Sequence, residues 1–331
     1  MRSPRARLRW QDPRVASQRR DWLGYDVIVF SELGLYPEGT YVVPDSVFHA
    51  DEQVAFAVVR GGSWNRLDPD LPSTELRGLS PAQLRLVASL MLCEVRDGAR
   101  LVFYPASGQG LRLDARRLRL DAPATIADIR ALVLARCADE RTKAPEDRTF
   151  RLPEGPYHLR ARSEFAMERL AEFFEALSPV DYVVYRGMHA LMKADMLSRY
   201  PEFWEEATTA CYVALDASFS AIQERLQDEG IAQPSAIDAN HWVHRHFNEA
   251  FGLPAPGPTD KYFGEMYAQR VMTLHPRSRY GESPVAPLMY EDYMFMRRDL
   301  REMFAYLVTG QHGADYRRDV DIHLAARPKG R

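Results

Sequence analysis

Three cysteines among 331 residues, Cys93, Cys137 and Cys211, are too few and too far apart to form a disulfide framework. Their odd number and mostly apolar neighbours fit reduced, buried thiols, so the reading places the chain in the cytoplasm. Lysine is nearly missing. It stands only at Lys143, Lys193, Lys261 and Lys329, so 39 of the 43 basic residues are arginine. That bias accounts for the amino-terminal run of Arg2, Arg5, Arg7, Arg9, Arg14, Arg19 and Arg20 against the single Asp12; the sharper reading, an arm that touches phosphates, is the weaker of the two. No stretch approaches the roughly 18 apolar residues of a membrane span, and arginines stand where a signal peptide has its apolar stretch. The expectation is therefore a protein neither inserted in a membrane nor exported. A formal net charge of −3 provides no global attraction for nucleic acid or lipid, so an anionic partner has to be held by a local patch. Also missing are GxxxxGK[ST], GxGxxG, HExxH, GxSxG and CxxC, which removes the short-motif routes to nucleotide, zinc and serine-hydrolase chemistry. No metal and no cofactor is expected.

A composition 46% hydrophobic and 27% charged suits two ordinary globular domains. Periodicity divides them into an α+β arrangement: a small mixed domain over residues 1–155, an all-helical domain over 156–310, and a charged, mobile tail over 311–331. In the first part, β-prone runs at Tyr25 to Phe30, Gln53 to Val59 and Arg100 to Tyr104 alternate with Gly/Pro punctuation. Helices begin at Ser80-Pro81, running to Gly98, and after Thr125, running to about Ala138. Three prolines between Ala144 and Tyr157 mark a linker. Beyond it come helices from Ser178-Pro179 to Leu197, Pro201 to Asp228, Ser235 to Phe251, Asp260 to Leu274 and Tyr290 to Val308. Trp204, Ala207, Cys211, Leu215, Phe219, Ile222 and Leu226 recur at helical spacing, as do Tyr293, Met296, Leu300, Met303 and Leu307, so these two helices carry core stripes. Short loops between amphipathic helices imply a bundle.

Within that bundle, Arg270 to His275 form an R-x4-H. Residues five apart on a regular helix point about 140° away from each other. Pro276 changes this, because the residue before a proline is pushed out of the α region, and His275 at the helix end is then free to turn back beside Arg270. The helix's negative end favours protonated imidazole while Arg270, Arg277 and Arg279 oppose it, leaving His275 able to exchange a proton near neutral pH.

A helical bundle with an R-x4-H near the end of its penultimate helix, followed by one more helix, resembles the HEPN superfamily over roughly residues 162–310. Many members of that superfamily are metal-independent RNA endonucleases. The resemblance implies Arg270 and His275 as the catalytic pair, a homodimer that brings two such motifs together, and attack of an RNA 2′-OH on the adjacent phosphate. Arg277 and Arg279 would assist phosphate binding, and a regulatory protein partner is compatible with the same scheme. Val271 departs from the polar residue often found after the motif arginine.

Other groupings point less firmly to chemistry. At any one spacing, 39 arginines and 9 histidines give about one accidental match, and Arg318 with His323 repeats the R-x4-H in the charged tail. His241, His244 and Asn248 share a polar helix face that reads first as solvated and second as a metal site. Glu205, Glu206, Asp195 and Asp216 read as surface acids before paired acid-base groups. A non-catalytic helical dimerisation or protein-interaction module is the rival to the nuclease reading of the same bundle.

Overall fold

A computed structural model describes residues 24–30, 33–34, 36–60, 81–96, 112–113, 118–148, 152, 164–178, 181–198, 200–274 and 290–326. The chain divides into two compact units, Met1–Pro179 and Val180–Arg331. The division falls downstream of the expected linker.

In the first unit, strands β1 (Tyr25–Val29), β2 (Gly39–Val43), β3 (Ser46–Ala50), β4 (Ala55–Arg60) and β6 (Arg112–Leu113) form an antiparallel sheet in the order β2-β3-β4-β1-β6. Hairpin β2-β3 turns at Pro44-Asp45, with Asp45 at φ 55°. Proline's fixed φ followed by a residue that tolerates the left-handed region is the pattern of a type II turn. Every residue of β1 is buried, which requires cover on both faces of the sheet. One cover is helix α2 (Pro123–Arg141), whose Ile126, Ile129, Val133 and Cys137 pack with Val27, Val29, Phe56 and Val58. Helices α1 (Pro81–Cys93) and α3 (Leu170–Ala176) also reach the sheet, at β4 and β2.

Of the expected strands, Tyr25 to Phe30 and Gln53 to Val59 correspond to β1 and β4, whereas Arg100 to Tyr104 lies outside the described residues. Helix α1 ends five residues before the expected Gly98, because Glu94–Arg96 leave it as strand β5 and pair with β7 (Glu164–Phe165). The Ala166 amide donates to the Cys93 carbonyl at 2.7 Å and closes that junction.

The second unit is built on α4 (Tyr182–Ser198), α5 (Trp204–Asp228), α6 (Ala236–Val243), α7 (Gly264–Leu274), α8 (Tyr290–Thr309) and α9 (Ala314–Ala326). Asp181 caps α4 by accepting the Val184 amide at 3.0 Å, and Ser235 with Asp238 forms a capping box on α6. Ala207, Cys211, Leu215, Ile222 and Leu226 of α5 are buried, as are all five stripe residues of α8. Gly187 sets the spacing between α4 and α8: a Cβ there would lie 2.1 Å from Cζ of Phe304. The helix expected over Ser235 to Phe251 changes pitch within its length, passing through a π turn at His244–Asn248 and a 3-10 turn before Gly252 closes it at φ 64°. The segment expected to be a mobile charged tail is helical over Ala314–Ala326, and its Tyr316 hydroxyl donates to the Phe247 carbonyl at 2.9 Å. No helix among the described residues is long and apolar enough to cross a membrane.

Candidate functional site

Arg270 lies on α7, one turn before the helix ends at Leu274. Its side chain retains 33% exposure, and its Nη1 donates to Oδ1 of Asp216 on α5 at 2.9 Å. The Tyr267 hydroxyl, one turn earlier on α7, donates to the same oxygen at 3.0 Å. Spacing of three along a helix places Tyr267 and Arg270 on one face, and the guanidinium carbon sits 5.7 Å from the Tyr267 ring centroid, within cation-π range. Burial, followed by the neighbouring Asp216 charge, pushes the Tyr267 phenol well above its ordinary pKa, so it remains a donor at neutral pH. In the turn just before α7, the buried hydroxyl of Tyr262 shares a 2.6 Å hydrogen bond with that of Ser218 on α5, and Phe219 stacks on Tyr262 at 5.6 Å. The approach to α7 is thus fastened to α5 by buried hydroxyls, and Arg270 is held where it meets solvent.

His275, Arg277 and Arg279 lie outside the described residues, so Arg270 is the member of the expected constellation whose surroundings are defined. Asp216 and Tyr267 belong to those surroundings; the sequence marks Asp216 only as an acid on its helix, and with 51 residues between it and Tyr267 only the fold joins them.

The four acids read as surface groups do not share one setting. Glu205 and Glu206 are exposed in the first turn of α5, where the helix dipole favours negative charge. Asp195, expected on a surface, has 0% exposure and takes both arms of Arg297, Nε at 2.5 Å and Nη2 at 3.0 Å. Tyr293 donates to the same carboxylate at 2.6 Å, and Ser198 donates to the Tyr293 hydroxyl at 3.1 Å. Cys211 is buried beside this network, and burial followed by the Asp195 charge raises its thiol pKa, so it has no thiolate to act as a nucleophile. The other two cysteines are buried free thiols as well.

On the polar face of His241, His244 and Asn248, His241 is exposed and His244 half-buried, and among the described residues no group of three or more His, Cys, Asp and Glu side chains comes together as metal ligands. The π turn instead carries His246 to Tyr306, Nδ1 to hydroxyl at 2.6 Å, and against Trp242 at 4.4 Å between ring centroids. His312 is stacked between Tyr306 at 4.5 Å and Tyr316 at 3.9 Å. Burial, and then the neighbouring His246, lower its pKa to about 4. In the second R-x4-H, Arg318 pairs with Asp315 of its own helix and His323 packs on Phe251. Five residues apart on a continuous helix, Arg318 and His323 point away from each other.

Comparison of the chain with known protein families, curated proteins and solved structures finds no match.

Proposed function

We propose that the helical unit is a metal-independent RNA endonuclease of HEPN type, acting as a homodimer through Arg270 and His275. In this reading His275 takes the proton of the RNA 2′-OH, the oxygen attacks the adjacent phosphorus, and the bond to the 5′ oxygen breaks. The leaving oxygen receives a proton from the imidazolium, and Arg270 holds the phosphate as its negative charge grows. Arg277 and Arg279 add donors to the same phosphate.

The observation that carries the reading is the exposure of Arg270. Arg297 and Arg301 of α8 are each 1% exposed and belong to the interior, whereas Arg270 keeps 33% exposure at a helix end. A guanidinium has five N–H donors, and the Asp216 contact uses Nη1. Donors thus remain for a phosphate, which prefers the planar fork of arginine to the point charge of lysine.

A specific observation favours the rival reading too. The Asp216 carboxylate neutralises Arg270 in place, as a scaffold would require. Product chemistry separates the two: attack by the 2′-OH leaves a 2′,3′-cyclic phosphate and a 5′-hydroxyl. The nuclease reading therefore requires those ends on RNA and no cleavage of the same sequence as DNA. Cleavage of DNA, or RNA fragments with 3′-hydroxyl ends, would count against it.

A further inference from the structure

We propose that Asp216 is a built-in competitor for Arg270, so that an RNA phosphate binds by displacing its carboxylate from the guanidinium. The inference rests on Arg270 being the phosphate-binding residue and adds a control on that site.

Three features of the contact support an exchange. The pairing is single, one Nη1 to one carboxylate oxygen at 2.9 Å, whereas an arginine bound to a carboxylate in its strongest geometry uses two parallel N–H bonds. Both partners meet solvent, with Arg270 33% and Asp216 44% exposed, and exposed ion pairs hold weakly because water screens them. The oxygen that would lose Arg270 keeps the Tyr267 hydroxyl at 3.0 Å, so displacement does not strip the carboxylate. After the exchange every group is still partnered: Asp216 by Tyr267, Arg270 by the phosphate.

Charge gives the arrangement its direction. A phosphate that takes the remaining donors of Arg270 comes within several ångströms of the Asp216 carboxylate, and like charges at that distance repel. Asp216 therefore weakens the binding of every anion while keeping the guanidinium facing solvent at a fixed position on α7. The buried pair of Asp195 and Arg297 has the same residue types but two bonds and no exposure. An incoming anion cannot reach it.

The test measures binding of a 2′-O-methylated oligoribonucleotide, which lacks the attacking hydroxyl, to the full-length protein by fluorescence anisotropy. Asp216→Asn keeps an acceptor for Tyr267 and Arg270 but removes the charge, and Asp216→Leu removes both. Both variants should bind about two- to fivefold more tightly than wild type, the range set by the coupling of an exposed ion pair. In an Arg270→Ala background neither substitution should change binding. Unchanged or weaker binding in the folded variants overturns the proposal, as does tightening that persists without Arg270. Cleavage of unmodified RNA is read in parallel. Tighter binding without cleavage retains the competitor and rejects the nuclease; cleavage without tighter binding does the reverse.

Discussion

Arg297 and Asp195 face each other across α8 and α4 with 1% and 0% exposure, joined by two hydrogen bonds of 2.5 and 3.0 Å. Tyr293 and Ser198 occupy other polar positions of the same network, which links two helices about a hundred residues apart in sequence.

A buried charge without its partner is far more costly than a buried pair. Asp195→Ala should lower stability by about 3–5 kcal/mol, read from the urea midpoint, because it removes the carboxylate that accepts two hydrogen bonds from the buried Arg297 guanidinium and balances its charge. Replacing both residues by apolar ones, Asp195→Leu with Arg297→Met, should recover most of that loss. A single-variant cost under about 1 kcal/mol would mean that water reaches the pair.

Gly187 meets Phe304 where α4 and α8 approach. Glycine to alanine within a helix ordinarily stabilises by about 1 kcal/mol. Here the sign reverses, because the new Cβ would stand 2.1 Å from the ring, and overpacking of that kind costs about 1–3 kcal/mol. In a Phe304→Leu background, which opens space, Gly187→Ala should be neutral or stabilising. Equal effects of Gly187→Ala in both backgrounds would show that the helices are farther apart.

Much of this bundle is legible in the sequence. The stripe from Ala207 to Leu226 and the stripe from Tyr293 to Leu307 are core because a 3.6-residue period permits little else for so many apolar side chains. Prolines and glycines set several boundaries correctly. Strands β2 and β3 were not legible: Gly39–Val43 has intermediate and exposed positions before Val43, and the run of glycine, proline and aspartate around it reads as loop. The burial of Asp195 was hidden as well, since its partner lies 102 residues away on another helix. The same limit applies to the candidate site, where local spacing picks out Arg270 but not Asp216.

Acid should weaken the far end of the bundle. His312 has a folded pKa of about 4, below the ordinary value of 6.5, so the folded state binds fewer protons than the unfolded chain between those values. Stability is therefore fully present above about pH 6.5 and is lost as pH falls toward 4. The lowered pKa of His246, caused by burial and then by Arg245, acts in the same direction. Thermal melts should show a midpoint falling through this window, and His312→Phe, which keeps a ring between Tyr306 and Tyr316, should flatten part of the fall. An unchanged pH profile in that variant would remove His312 as the cause.

The central claim is that Arg270 and His275 form a metal-independent ribonuclease site. It is tested most directly by incubating a mixed RNA pool with the purified protein in EDTA, beside the Arg270→Ala/His275→Ala double variant, with the fold of both checked by circular dichroism. The account predicts cleavage by the wild type and at least a hundredfold loss in the variant, the order of magnitude for removing a general base together with a charge-stabilising donor. Equal cleavage by both proteins, or none by either, would contradict it.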